Sequence, residues 1–346
     1  MNETMERVGG PLGTSATAQA GNAEINRKIE HARQTGQLDV PWDNLPDWHP
    51  LYKFSRQLGA ILDKVGYNEM YGIELVAPTE EDKPVAFTTL LILQKFLRAN
   101  ANEVPKAIEQ LTEALEWRKQ YQPLNSKDEV FDAAKFGGLG YVTELKGVPG
   151  SPSEKDVATF NIYGAVKDTK KTFGDLDGFI RWRVALMEMT LESLHLADAK
   201  KPIPDFGKGA DPYQAIQIHD YLNVSFLRQP AEVKAASRKT IEIFQKVYPE
   251  TLSKKYFVNV PLFMQWMFGA MQMFMSKEII AKMQWMSYGS ELHKSLGDSV
   301  PKAYGGSGPD LEGSSETPKY GAATGAATEA ATTPAVDDAA AVTTAV

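Results

Sequence analysis

Three short runs in the middle of the chain, 158–166, 215–224 and 256–260, are rich in β-branched and aromatic residues, and each is parted from the next by one amphipathic stretch of helix length. No other feature of the sequence narrows the fold as much. Strands joined through a helical crossover pair in parallel, and the crossover is right-handed in nearly every case. In the first crossover, about 177–197, Ile180, Val184, Met187, Leu191 and Leu194 fall on one stripe. In the second, about 231–247, Val233, Ala236, Thr240, Ile243 and Val247 do the same, and Pro249 sets its end. The expected core is an α/β fold with a mainly parallel sheet floor.

The texture before residue 123 differs. Residues 42–122 read as helical: Ile108, Leu111, Leu115 and Arg118 recur at spacings of three and four behind Pro105, and Leu90, Leu93 and Leu97 line one side of 88–99. Residues 100–103 then turn a helical hairpin. The switch to β-rich runs after Pro123 and Asn125 places a domain boundary near 125. The expected organisation is a disordered segment 1–40, a helical N-terminal domain 41–125, an α/β ligand-binding domain 126–306 and a disordered Ala/Thr-rich tail 307–346, because the two ends lack the apolar surface that offsets ordering entropy.

Composition closes off several function classes. With 37 basic and 44 acidic residues the net charge is -7, which does not suit a chain whose partner is nucleic acid. The absence of cysteine removes disulfide scaffolds, thiolate zinc sites, iron–sulfur clusters, catalytic thiols and covalent haem attachment, and fits a reducing cytosol. The first twenty residues hold no apolar core of a secretory signal. The most apolar stretch, 263–275, is broken by Gln265 and Gln272 and falls short of a membrane span, so membrane contact is expected to be peripheral.

Several motifs dissolve on inspection. Asp205-Phe206-Gly207 has no glycine-rich loop or catalytic loop to accompany it, and Gly137, Gly138 and Gly140 lack the third glycine and the helix of a dinucleotide fingerprint. His31, His49, His195 and His293 have no companion at metal-ligand spacing and read as surface or capping residues. One segment stands apart. In the strand around 217–221, Gln217, His219 and Tyr221 share one face while Ile216, Ile218 and Asp220 share the other. A buried central strand is ordinarily apolar on both sides, so the polar, aromatic face is expected to line a cavity.

Other residues point into the same space. Arg183 lies beside the apolar stripe of its helix and, if buried, needs an anionic partner. Tyr163 shares a strand face with Asn161 and Thr159, and Lys255, just before the third strand, supplies a second cation. Segments 263–276 and 277–283 read as two further helices. The first, carrying Met264, Met267, Met271, Met273 and Met275, is either a core helix with flexible fillers or a mobile cover over a large apolar guest. Two cations, a phenol and an imidazole in an apolar pocket suit an amphiphile bearing carboxylates or a phosphate.

These residues carry a resemblance that spans about 85–306. Leu93-Gln94-Lys95-Phe96-Leu97-Arg98-Ala99 with Trp117-Arg118 resembles the N-terminal helices of the CRAL-TRIO lipid-transfer family. The strand near Ala158, the turn Tyr248-Pro249-Glu250, the segment Asn259-Val260-Pro261 and the closing Pro301-Lys302-Ala303-Tyr304-Gly305-Gly306 resemble its lipid-binding domain. Within it, His219-Asp220-Tyr221, Asn161-Ile162-Tyr163-Gly164 and Arg181-Trp182-Arg183 are similar to the fungal haem-binding phosphatidylinositol-transfer branch.

That resemblance implies a non-enzymatic phosphatidylinositol-transfer-like protein holding ferric haem b non-covalently, with roles in phosphoinositide homeostasis and in haem or oxidant-stress response. It implies Tyr221 as the tyrosinate ligand of the iron, His219 as its neighbour, and Tyr163, Arg183 and Lys255 as further pocket contacts. It also implies Glu250 as the acidic lipid-site residue, with the family's headgroup lysine falling at Gln272. Ala215 and Gln217 replace hydroxyls that bind a choline lipid's phosphate, so phosphatidylcholine exchange is not expected. The implied setting is the cytoplasm, with peripheral association to the endoplasmic reticulum or other internal membranes. The alternative is a phosphatidylinositol carrier without haem. Phenolate is a hard anionic donor that favours ferric iron, and its neighbour two positions along the strand stands roughly 6 to 7 Å away on the same face.

Overall fold

The protein is described by a computed structural model covering residue 27 and residues 42–78, 85–224, 230–262, 264 and 277–322, with side chains 277–279 excepted. The helical N-terminal part holds α1 (Pro50–Val65), α2 (Phe87–Ala99) and α3 (Val104–Tyr121). Helix α1 starts where the His49 side chain accepts the Leu51 N–H and Pro50 supplies a ready-made first turn; it stops at Gly66, whose φ of 64 would strain any other residue. Its Leu51, Phe54, Leu58, Ile61 and Val65 recur at helical spacing and are buried. A two-strand hairpin, β1 (Glu69–Met70) and β2 (Ile73–Glu74), interrupts the run expected to be helical throughout. Its sharp turn at Tyr71-Gly72, both at positive φ, is too short to leave a period-2 signal.

The main sheet runs β4 (Gly140–Lys146), β5 (Lys155–Ile162), β6 (Ala215–Asp220), β7 (Leu252–Val258) and β8 (Met283–Trp285) in that order, with β4 antiparallel to β5 and every other pair parallel. The crossovers are α4 (Leu176–Ser193), capped by the Asp175 side chain on Gly178 N–H, and α5 (Ala231–Val247). A small parallel pair joins β3 (Val130–Asp132) to β9 (Lys319–Gly321). The stretch after 306 is therefore folded as far as 321, contrary to the expected solvated tail. Tyr320 packs against the core and accepts a hydrogen bond from the Trp182 indole N–H at 3.2 Å, which anchors it.

The sheet is packed on both sides. One face presents Phe160, Ile218, Tyr256 and Leu145 to Leu292, Leu296, Val300 and Tyr304 from the C-terminal stretch. On the other, α4 presses onto the sheet so closely that a Cβ at Gly140 would stand 2.8 Å from both Trp182 and Leu186. The apolar residues of α1–α3 share one continuous core with α4 and α5. That junction is pinned by the buried Arg118 guanidinium, which donates to Glu188 at 2.7 Å and to Glu69 at 2.7 Å, while Tyr248 donates to Glu188 at 2.6 Å.

Candidate functional site

Strand register aligns the α4-facing side of the sheet into two rows. Gly140, Asn161, His219, Phe257 and Trp285 form one; Val142, Thr159, Gln217, Lys255 and Met283 form the next. Tyr221 stands one residue past β6, yet its N–H still bonds Val258 carbonyl at 3.1 Å, so it prolongs the ladder on the face of Gln217 and His219. Tyr163 lies beyond the end of β5, in a single 3-10 turn (Tyr163–Ala165), rather than on the strand. It nevertheless reaches the same place: its ring is 5.3 Å from His219 and 5.7 Å from Tyr221.

The cluster is aromatic and cationic. Phe257 stacks on Trp285 at 3.8 Å and faces Tyr221 at 6.3 Å and His219 at 5.6 Å. His219 is buried, and neither of its ring nitrogens has a hydrogen-bond partner among the described residues. Its ring centroid stands 6.4 Å from that of Tyr221. Burial, then Lys255 and Arg183, push the imidazole well below its ordinary value, so it is neutral. Burial, then Tyr163, push the Tyr221 phenol well above its ordinary value against the pull of Arg183.

Arg183 projects from α4 into this space, almost fully buried. Its hydrogen-bond partner is the neutral Asn161 amide oxygen, its guanidinium lies 5.3 Å over the Phe244 ring, and its Nε has no acceptor among the described residues. Lys255 sits in the middle of β7, half-buried, with its ammonium 5.2 Å over the Phe257 ring. Burial, then Arg183, hold it down from 10.5 to about 7. Among the described residues, neither cation has a carboxylate within salt-bridge reach. Two unneutralised cations in one apolar space are costly to keep, and an anionic guest relieves both.

Glu250 is placed elsewhere, before the first residue of β7 and so at the opposite end of the sheet from Tyr221. Its carboxylate meets Arg98 at 3.4 Å, Gln214 at 2.9 Å and Lys282 at 3.4 Å, and its backbone is left-handed. The Met-rich cover expected over 263–276 and the position Gln272 lie outside the described residues, apart from Met264, which is buried with Tyr221, Phe257 and Val260. His49 caps α1 as expected but is buried, with its Nε2 3.4 Å from Asp205. Asp205 also accepts from Gln94 at 2.8 Å, a structural use of the Asp-Phe-Gly triplet.

Phe257 and Trp285 were not singled out from the sequence, and Asn161 was named there for its polar strand face and motif but not as the partner of Arg183. Asn161 holds the arginine, and its register opposite His219 was the available signal. Phe257 alternates in phase with Lys255. Trp285 sits on a three-residue strand too short to announce itself. Among the described residues no group of three metal-ligating side chains is assembled, and no helix is long and apolar enough to cross a membrane.

The CRAL/TRIO domain model matches residues 160–306. The "Phosphatidylinositol transfer protein SFH5" of Phaeosphaeria nodorum is 54% identical over 271 residues, which cover 78% of this chain and 80% of that one. A protein of the same name from Cryptococcus neoformans var. neoformans serotype D is 46% identical over 275 residues, covering 78% and 90%. A solved structure, "Crystal structure of Sfh5", superposes with a TM-score of 0.64 at 29% identity, covering 78% of this chain and 92% of the other.

Proposed function

This chain belongs to the fungal Sfh5 family of phosphatidylinositol transfer proteins with a CRAL/TRIO domain, and from that premise we propose that it is a non-enzymatic carrier whose pocket holds ferric haem b. The observation that carries the reading is the pair Arg183 and Lys255, facing one apolar space without a carboxylate among the described residues, beside an imidazole with two unpartnered nitrogens. Haem supplies a ferric Lewis acid and a porphyrin with two carboxylates. Tyr221 would give its phenolate oxygen to the metal, and the proton held on that oxygen by burial must leave as it does so. Arg183 and Lys255 would each take one carboxylate, and protonation of Lys255 would be restored in the process. Tyr163, Phe257 and Trp285 would wall the macrocycle, while neutral His219 packs beside the ligand.

The second reading is a phosphatidylinositol carrier without haem, in which the same two cations take the lipid phosphate. Glu250 with Arg98 and Lys282, a charged group at the other end of the sheet, favours it. An absorption spectrum with iron analysis, on protein purified without added haem, separates the two. The haem reading expects a coloured protein with high-spin ferric bands that are lost in Tyr221→Phe. A colourless, iron-free protein that moves labelled phosphatidylinositol between vesicles sinks it. The proposed setting is the cytoplasm, with peripheral contact at the endoplasmic reticulum or another internal membrane.

A further inference from the structure

Because β5 to β8 run in parallel, their C-terminal ends lie along one edge of the sheet. Three of the large apolar side chains most exposed among the described residues stand just beyond it. Leu222 (54% exposed), Leu262 (71%) and Tyr288 (66%) lie two, four and three residues past β6, β7 and β8. Single exposed hydrophobics are ordinary; three on adjacent connections at one edge are not.

These connections are stapled together. The Asp220 carboxylate accepts the Leu222 N–H at 2.9 Å, the Asn259 side-chain amide at 2.7 Å and the Tyr304 hydroxyl at 2.8 Å. Asn259, itself left-handed, accepts the Gly289 N–H at 2.7 Å. The connection leaving β5 is pressed against the same hub: a Cβ on Gly164 would stand 2.0 Å from the Leu222 carbonyl oxygen. That connection carries Lys167, Lys170 and Lys171, all exposed, and the intervening Asp168, which caps the Lys171 N–H at 3.0 Å, offsets one of the three charges. In a chain of net charge -7, a net positive stretch on the connection that meets Leu222 is a local inversion of the charge.

We infer that this edge is the face the protein lays on a membrane carrying anionic lipid, with Leu222, Leu262 and Tyr288 entering the headgroup boundary and Lys167, Lys170 and Lys171 held by its negative potential. The inference rests on the carrier reading, since it sets the Tyr163–Tyr221 end of the pocket toward the bilayer. Asp220 and Asn259 act as positioning residues that keep the three apolar side chains on one plane.

The lack of cysteine makes the test direct. In the full chain, Leu222→Cys, Leu262→Cys and Tyr288→Cys each create one labelling site for an environment-sensitive fluorophore, with Phe206→Cys, on the connection entering β6 at the opposite edge, as control. Vesicles of phosphatidylcholine with phosphatidylserine should blue-shift the three and leave the control unchanged. The combined Leu222→Ser, Leu262→Ser, Tyr288→Ser variant should lose about tenfold or more in vesicle partitioning. The combined Lys167→Gln, Lys170→Gln, Lys171→Gln variant should lose about fivefold per lysine, on anionic vesicles at low salt only. Unshifted fluorophores on sedimenting protein, undiminished partitioning of the triple serine variant, or shifts that appear with protein concentration alone would each overturn the assignment; the last would give the patch to a second copy. Iron content and phosphatidylinositol binding are measured on each variant. A colourless wild type that still docks through this edge refutes haem and leaves the docking face standing.

Discussion

Replacing Lys255 with methionine should make the ligand-free protein more stable while weakening its hold on an anionic guest. The ammonium is held down from 10.5 to about 7 by burial and Arg183. Between those values the unfolded chain binds a proton that the folded chain does not, so stability rises with pH from about 7 to about 10.5, and the full cost of charging Lys255 is present below about 7. At about 1.4 kcal/mol per pH unit the ceiling is about 5 kcal/mol. Lys255 is half-buried, and solvent screening reduces this to about 1 to 2 kcal/mol. Methionine keeps the apolar stem over Phe257 and removes the charge. Urea midpoints of ligand-free protein, measured from about pH 6 to about pH 10, should show a rise with pH in the wild type that is flattened in Lys255→Met, with the variant ahead at the acid end. Affinity for the anionic guest should fall more than about tenfold, the loss of one charge-assisted contact. Parallel pH profiles for the two proteins would show that Lys255 carries an ordinary pKa, and the account of an unneutralised cation pair would fail with it.

Other perturbations test other parts of the same structure. Asn161→Asp places a carboxylate on the Arg183 guanidinium, so the melting temperature of the ligand-free protein should rise while uptake of the anionic guest falls; unchanged uptake would show that Arg183 does not meet the guest. Gly140→Ala drives a methyl group to within 2.8 Å of Trp182 and Leu186 and should cost about 1 to 3 kcal/mol in urea titration. Arg118→Met strands the buried Glu188 carboxylate without its cation and should cost about 3 to 5 kcal/mol; a loss under about 1 kcal/mol would show that the junction between the helical part and the sheet is held by packing alone.

The periodic parts of the fold were legible because each carries one burial requirement over several turns. Helix α5 lies at 231–247 as read, and the alternation of Gln217, His219 and Tyr221 against Ile216 and Ile218 survives in the register. Elements defined by their partners were not legible. β4 begins at Gly140, in a stretch where the sequence shows only a failed glycine motif; it is defined by its pairing with β5, and the bare glycine leaves room for α4. β8 is three residues long and follows β7 in the sheet without any period of its own. The pocket's charge balance was half visible: Arg183 was expected to need an anion, whereas the structure gives it an amide. No local pattern states which side chain will stand across from another. That information lies in Cα pairing between strands that are distant in sequence, as Asn161 is from His219 and His219 from Phe257.

The pairing of β3 with β9 reaches further than any of these, since Val130 meets Lys319, 189 positions later. At about 5 to 20 residues per second, a ribosome needs roughly 10 to 40 s to deliver the second strand after the first has been made. Throughout that interval the nascent chain exposes an open backbone edge at Val130–Asp132, available to chaperones and to neighbouring polypeptides alike. Lys319–Gly321 thus act as a seal, applied only after every strand of the main sheet has been made.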